Sequence, residues 1–418
     1  MNAFSQRNGE SYVEDVALAH VAEAHGTPCY VYSRAALTTA YQGFDAAFAT
    51  HAHQVCYAVK ANPNLAILNV FARLGSGFDI VSGGELARVL AAGGDPGKVV
   101  FSGVGKTPDE IRAALHAKIL CFNVESAAEL ERIDQIARAM NTVAPVSLRV
   151  NPDVDAKTHP YIATGLKENK FGVPFDDALD LYKRAAVSKH LNVEGIDCHI
   201  GSQLIEVAPF AAAVERVLAL IQRINAAGIE LKHIDLGGGL GIQYQAEDHP
   251  ASVNEYAAVI LNGLQGRREK LLFEPGRYLV GNAGVLLTRV EYLKHGQLDD
   301  DHNFAIVDAA MNALMRPALY DAWHDMYPVR ERDDALDTWE IVGPVCESGD
   351  FLGRARRLAL KEGDLIAIRS AGAYGMSMSS NYNTRPRAAE VMIDGAAMHV
   401  IRERERIEQL FANECVLK

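Results

Sequence analysis

The sequence predicts an α/β fold: a parallel (β/α)8, TIM-like barrel followed by an all-β domain that also takes in an N-terminal strand. Three observations carry this. From about residue 54, short apolar runs alternate with longer amphipathic stretches, roughly eight times over some 225 residues. After "EPGRYLVGNAG" (274–284) the alternation stops, and strand-like runs follow one another across turns. Ahead of the first barrel helix stands "CYVYS" (29–33), a strand that the barrel does not need and that is expected to fold back onto the β domain.

The barrel strands are read in order as "QVCYAV", "GFDIV", "KVVFS", "KILCFNV", "PVSLRV", "VEGIDCHI", "KHIDL" and "KLLFE". Between them lie helical stretches such as "NLAILNVFARLG", "GELARVLAAG", "TPDEIRAALHA", "SAAELERIDQIARAM" and "FAAAVERVLALIQRINAAG". Several end at a glycine, as a helix C-terminal cap requires. An open doubly wound sheet is the alternative, because a strand count of this kind errs by about one. The β domain is read from "VLLTRVEYL", "FAIVDAA", "TWEIVGPV", "DLIAIRS" and "EVMIDG", with helix returning only at "RERERIEQLF". The boundaries follow: a barrel over 35–280, and a β domain over 1–34 plus 281–418.

A formal net charge of −12 argues against nucleic acid or an anionic membrane as partner. Six scattered cysteines without a CxxC pair read as reduced thiols, not as a disulfide frame or a zinc site, and no metal is expected. The N-terminus "MNAFSQRNGES" lacks the apolar core of a signal peptide, and no apolar run is long enough to cross a bilayer, so the expected location is the cytoplasm.

Two glycine patterns invite a nucleotide reading and fail on register. "VVFSGVGKT" ends like a P-loop, but the first glycine of that motif would fall at Val100. In "DLGGGLG" (235–241) the last glycine of a dinucleotide fingerprint would fall at Ile242 or Tyr244. A glycine run at a strand end still presents backbone N–H groups, and so can cradle a phosphate.

Chemistry in a (β/α)8 barrel sits at the C-terminal strand ends. Lys60 closes the first strand, Asp79 lies within the second, and His199 follows "GIDC". Gly237, Gly238 and Gly239 follow the seventh strand, and Glu274 and Arg277 follow the eighth. Each alone reads as ordinary: a solvated lysine, a structural histidine, a turn. Together an amine, an imidazole, a phosphate nest and a carboxylate suggest pyridoxal phosphate, bonded through its aldehyde to the lysine.

The motifs "YAVKAN", "HIGSQ", "DLGGGLG", "EPGR", "CESGD" and "AGAYGMSMSSNYN" occur in an order and setting that resemble the alanine-racemase-like (fold type III) pyridoxal-phosphate decarboxylases, over residues 27 to 412. Within that group "HPYIATGLKENKFG" (159–172) and "SSNYNTRPR" (379–387) are most similar to the diaminopimelate decarboxylases. The resemblance implies pyridoxal 5'-phosphate as cofactor and meso-2,6-diaminopimelate as substrate. Lys60 is then the cofactor-bonding lysine, Asp79 a cofactor-binding residue and His199 the imidazole stacked on the ring. Ser202, Gly237, Gly238, Gly239, Gly276, Arg277 and Tyr374 form the phosphate set, and Glu274 partners the pyridine nitrogen. Arg277, Arg316, Tyr320 and Tyr374 take the substrate side, with Glu347 for its distal ammonium. Cys346 is the proton donor, delivered with Glu347 from the other subunit of a head-to-tail homodimer; its alternative is a small buried hydrophobe. That second reading is the one given to Cys29, Cys56, Cys121, Cys198 and Cys415, while the charge run "RERERIEQ" reads as a solvated helix face.

The nearest rival activity is decarboxylation of ornithine, arginine or a carboxylated polyamine. Those substrates end in a cation that Arg316, in "MNALMRPALY" (311–320), would repel. A pyridoxal-phosphate carrier would lack the β domain with "CESGD", and an inactive regulatory homologue would tend to lose Lys60 or Cys346.

Overall fold

The computed structural model describes residues 3–154, 170–297 and 302–417. The motif at 159–172 therefore lies outside the described residues except for Lys170, Phe171 and Gly172. The chain forms two compact units. One comprises Ala40–Ile242 and His249–Leu279; the other comprises Met1–Thr39, Gln243–Asp248 and Val280–Lys418.

The first unit is a closed parallel barrel. Its strands are β1 (His53–Ala58), β2 (Gly77–Ile80), β3 (Val99–Phe101), β4 (Cys121–Val124), β5 (Ala144–Asn151), β6 (Leu191–Asp197), β7 (His233–Asp235) and β8 (Lys270–Phe273). Each pairs in parallel with the next, and β8 pairs with β1, so the ring closes and the open-sheet alternative falls. A two-residue strand, Val173–Pro174, hangs on the end of β5. All eight predicted strands are present. Two helices that were not singled out, Phe175–Val187 and Val253–Gly263, join the predicted ones outside.

Local chemistry sets the turn from strand to helix. The side chains of Asn64, Ser82, Thr107, Ser126 and Ser252 each accept a backbone N–H in the first turn of the following helix. Gly75, Gly93 and Gly228, at φ of +89°, +81° and +81°, take the left-handed conformation just past the helix ends.

Inside the barrel the period-two geometry of strands sorts residues into layers. A lower layer holds Cys56, Val100, Cys121 and Leu272, which form one apolar cluster, with His233 beside Cys121 (Sγ to Nε2, 3.8 Å). Two residues further along the strands stands an upper, polar layer: Asp79, Ser102, Asn123, Arg149, Asp197, Asp235 and Glu274, all buried. The lower layer is tight. A Cβ on Gly195 would lie 2.2 Å from His233 Nε2, and one on Gly77 would lie 2.8 Å from Cys56 Sγ. Glycine stands there because its neighbour's side chain occupies the space.

The second unit is a mixed sheet built around the long strand β9 (Gly284–Lys294). β9 pairs antiparallel with Cys29–Ser33, as Gly284↔Tyr32 through Leu287↔Cys29, so the N-terminal strand does fold back onto this sheet. Beyond it lie Ala389–Asp394 and Ala397–Arg402; on the other side lie Asn303–Val307, Asp337–Val342 and Phe351–Leu358. Two elements differ from the sequence reading. Phe351–Leu358 is a strand although "FLGRARRL" is rich in arginine, because an edge strand keeps one face in solvent. The charge run is not a helix face: strand reaches Arg402, helix covers only Ile407–Leu410, and Arg402 and Glu405 are paired in extended chain. Arg402 pairs with Glu390, while Glu405 accepts from Arg387 Nη1 at 3.1 Å and from Asn381 at 2.6 Å.

The tight layer yields a stability test. Gly195→Ala should destabilise the protein by about 1–3 kcal/mol, as overpacking does, in equilibrium denaturation. Adding His233→Ala should recover part of that loss, and a Gly195→Ala protein as stable as wild type would show that this layer yields.

Candidate active site

Strand β1 ends in a tight turn, Val59–Ala61, that presents Lys60. The Lys60 Nζ donates to Asp79 Oδ2 at 2.9 Å, and the Asp79 side chain is fully buried. A charged amine at the end of a buried strand is thus offset by a carboxylate on the next strand. Gly276 packs behind the turn, where a Cβ would come within 3.0 Å of Ala61 and 3.1 Å of Ala58. Ala58 N–H donates to the Pro275 carbonyl at 3.2 Å, which ties the "EPGR" loop to the lysine turn. Arg277, buried, donates to Ser202 Oγ from Nε at 3.3 Å and from Nη2 at 3.0 Å.

His199 follows β6, and its Nδ1 accepts the Gly238 N–H at 3.2 Å, which places the ring proton on Nε2. Burial, with Arg149 and Lys60 nearby, holds its pKa well below the usual histidine value, so the imidazole is neutral. The glycine loop is shaped by close approach. A Cβ on Gly237 (φ +65°) would meet His199 Nδ1 at 2.6 Å, and one on Gly238 would meet the Glu274 carbonyl at 2.3 Å. A Cβ on Gly239 (φ +112°) would meet the Gly201 carbonyl at 2.7 Å. The Gly237 N–H donates to Asp235 Oδ1 at 2.9 Å and the Gly238 N–H to His199. These two donors therefore hold the loop in its shape.

Beneath the mouth lies a group of which the strand-end reading found Asp79 and Glu274 but missed Ser102, Asn123, Arg149, Asp197 and Asp235. Glu274 Oε1 accepts from Asn123 Nδ2 at 3.3 Å and lies 3.4 Å from Ser102 Oγ. Oxygens of Asp197, Asp235 and Glu274 lie within 4.8 Å of one another, a spacing that could also hold a cation. Arg149 is the cation on this layer, 3.4 Å from Glu125 and 3.9 Å from Asp197. Burial first, and the neighbouring carboxylates second, push Glu274 and Asp197 well above the ordinary carboxyl range and Asp235 up to about 7. Negative charge is in excess here, so part of it is carried as protons. The sequence signal was faint: "FN", "LR", "ID" and "ID" place one polar residue at the same rank of successive strands.

The P-loop-like run has a structural role. Lys106 is buried, donates to Glu129 Oε1 at 2.7 Å and to the Gly103 and Asn123 carbonyls at 2.8 Å, and Thr107 closes a capping box with Glu110.

The β unit carries the remaining predicted residues. Cys346 and Glu347 are exposed on this chain. Asn383 holds Cys346, accepting its N–H at 3.2 Å and lying 3.5 Å from its Sγ; Tyr382 donates its hydroxyl to Glu347. Asp350, the last residue of "CESGD", accepts the Val345 N–H at 2.8 Å and the Met311 N–H at 2.6 Å, and so folds the loop. Arg316 is buried at the start of the short helix Arg316–Tyr320, and Tyr320 is half-buried at its end. Tyr374 is half-buried at φ +57°, a conformation that non-glycine residues rarely adopt. Cys29, Cys56, Cys121 and Cys198 are buried as expected; Cys415, expected to be buried, is exposed, as is every described residue after Ile407–Leu410.

The barrel and its mouth define a class, and the comparisons agree. The profile of the "Pyridoxal-dependent decarboxylase, pyridoxal binding domain" family matches residues 34–281. The diaminopimelate decarboxylase of Pseudomonas aeruginosa is 59% identical over 417 residues, covering 100% of each chain. That of Vibrio cholerae is 57% identical over 99% of this chain and 98% of its own. The crystal structure of the Helicobacter pylori diaminopimelate decarboxylase complexed with L-lysine is 42% identical, with a TM-score of 0.91 over 95% of this chain and 98% of that one. The chain belongs to the diaminopimelate decarboxylase family of pyridoxal-phosphate enzymes.

The residues present fit that cofactor. Asp79 Oδ1, buried and without a hydrogen-bond partner among the described residues, and the excess of carboxylate around Glu274 call for a positively charged group, which a protonated pyridine would supply. Among the described residues no helix is long and apolar enough to cross a membrane.

The carboxylate layer predicts a pH dependence. Asp235 is raised in the folded state, so between about 4, its unfolded value, and about 7 the folded protein holds a proton that the unfolded chain releases. The stability this contributes is complete below the window and is lost as pH rises through it. Denaturation of the cofactor-free protein should show wild type losing stability relative to Asp235→Asn between these pH values; a constant difference would refute the assignment.

Proposed function

We propose that this chain decarboxylates meso-2,6-diaminopimelate at its D-configured centre to give L-lysine and carbon dioxide, the last step of lysine biosynthesis by the diaminopimelate route. The observation that carries the substrate choice is Arg316, a buried guanidinium on the β unit. A substrate ending in a carboxylate pairs with it bidentately, whereas one ending only in an ammonium is repelled. The relatives that bear the name of this activity match over the whole chain.

Pyridoxal phosphate, when bound, supplies an electron sink for the pair released as the carboxylate leaves. Lys60 would bond to it, with Asp79 taking up the charge at Nζ, since the two sit 2.9 Å apart. His199, neutral at Nδ1, would lie against the ring. Glu274 would pair with the ring nitrogen, with Ser102 and Asn123 steadying its carboxylate. Ser202, Gly237, Gly238, Gly239, Gly276, Arg277 and Tyr374 would hold the phosphate. Arg277, Arg316, Tyr320, Tyr374 and Glu347 would bind the L-configured end of the substrate. Cys346 Sγ would give its proton to the carbon that lost the carboxylate and regain one from water.

We further propose a cytoplasmic homodimer in which Cys346 and Glu347 serve the partner's site. Their exposure and the rigid loop built by Asp350 and Asn383 support this.

Arg316→Ala should lower kcat/KM for meso-diaminopimelate by about 2–5 kcal/mol in transition-state stabilisation, as loss of one partner of a buried charge pair does. Wild-type enzyme that decarboxylates ornithine or L-lysine as readily as meso-diaminopimelate would sink the substrate assignment.

Sharing is tested by complementation. Lys60→Ala and Cys346→Ala should each be nearly inactive. After random subunit exchange of equal amounts, about half the dimers are mixed with one intact site of two, so roughly a quarter of wild-type activity should return. Mixed dimers that form by native mass yet stay inactive would mean that Cys346 serves its own subunit.

A further inference from the structure

His324 is fully buried, and both of its ring nitrogens are engaged. Nδ1 lies 2.8 Å from the Arg369 carbonyl oxygen, and Nε2 lies 2.8 Å from Arg316 Nη1. A carbonyl only accepts, so Nδ1 carries the ring proton. A guanidinium only donates, so Nε2 must offer its lone pair. These two contacts admit one state of His324: neutral, with the proton on Nδ1.

The rest of the environment fixes that ring. The backbone of Arg369 donates to the Asp325 carbonyl at 2.8 Å, and Met326–Pro328 pairs antiparallel with Leu365–Ile368, so both sides of the histidine hang on one strand pair. Arg356 Nη2 donates to the His324 carbonyl at 3.0 Å. Tyr244 stands edge-on to the imidazole with ring centres 5.2 Å apart, and the same tyrosine lies under Arg316, whose Cζ is 4.6 Å from the ring centre. Arg316 is thereby held from the side by an imidazole and from below by an aromatic face.

We propose that His324 is a positioning residue for the distal carboxylate of the substrate, orienting the Arg316 guanidinium for it. This rests on the reading of Arg316 as that carboxylate's anchor. The choice of residue has a physical logic. An aspartate or glutamate in this place would also orient the guanidinium, but it would neutralise the charge that the substrate is to meet. A neutral imidazole fixes the plane of the fork, and so the direction of its other N–H groups, while adding no negative charge. Tyr244 acts in the same sense through its ring face. Protonation of His324 would reverse the arrangement: an Nε2–H would then point at an Arg316 N–H, two cations 2.8 Å apart. Among the described residues, Arg316, Arg356, Arg369 and Tyr244 stand against His324, and Asp325, one residue away, accepts from the Trp323 indole at 3.0 Å.

The test uses two probes that differ only in the carboxylate, L-lysine and 1,5-diaminopentane, titrated calorimetrically against the cofactor-loaded enzyme. His324→Phe, which fills the space without an acceptor, should weaken L-lysine at least tenfold and leave 1,5-diaminopentane within about twofold. In turnover it should raise KM for meso-diaminopimelate more than it lowers kcat. His324→Gln restores an acceptor and should recover most of the L-lysine affinity. In wild type, the preference for L-lysine over 1,5-diaminopentane should shrink as pH falls, and in His324→Gln it should not. This arm needs no variant that is at risk of misfolding beyond the glutamine one. Equal weakening of both probes by His324→Phe, with a pH-independent preference in wild type, overturns the proposal and leaves His324 a packing residue. Arg316→Ala separates the two readings. If it leaves L-lysine binding unchanged, the anchor reading falls and this inference with it. If it weakens L-lysine while His324→Phe does not, only this inference falls.

Discussion

The constraint on which the barrel unit depends is the burial of charge in a closed ring of parallel strands. Once β8 pairs with β1, every second residue of every strand faces a space that water does not fill. The lower layer obeys this with small and apolar side chains. The upper layer does not: Asp79, Asp197, Asp235 and Glu274 share it with Arg149 and, at its rim, Lys60. Such a layer persists only if protons, cations or a ligand balance it. Lys60 answers Asp79, Arg149 answers Glu125 and Asp197, and the remaining excess lies where Glu274 faces the mouth. On the proposed reading, a cationic ring nitrogen would balance that excess.

What was legible in the sequence follows from what has a long signal. Eight alternations of strand and helix reinforce one another, and a lysine ending an apolar run is conspicuous because it breaks a rule. The polar layer was not legible, because β3 and β7 are three residues long and a period of two cannot be seen in three residues. Each of Asn123, Arg149, Asp197 and Asp235 is an ordinary residue until closure brings them to one level. The terminal charge run misled for the opposite reason. "RERERIEQ" has helical composition, but Glu390, Arg387 and Asn381, distant in sequence, hold its charges in extended chain. Tertiary pairing outweighed local propensity there.

The β unit shows a different principle, in which the loop with the proposed chemistry is held by residues outside that proposal. Motif reading pointed to Cys346 and Glu347, yet their positions are set by Asp350, Asn383 and Tyr382. Asp350 satisfies two backbone N–H groups from separate segments, Met311 and Val345, and so locks the loop to the stretch that leads into Arg316. Asn383 reaches Cys346 from a backbone at φ +57°, a conformation the asparagine side chain tolerates better than most.

These two solutions differ because the two tasks differ. On the proposed mechanism Lys60 would change its bonding during the reaction and would need a partner whose charge can follow the change; a buried carboxylate stands 2.9 Å away. As the proposed anchor of a carboxylate, Arg316 would only have to present a constant charge, a task served by contacts that orient it without neutralising it. The imidazole of His324 and the ring of Tyr244 meet that requirement, where an acidic residue would compete with the ligand. Specificity for a terminal carboxylate would then come from orientation at full charge, and the cost of keeping that charge buried is what an incoming carboxylate relieves.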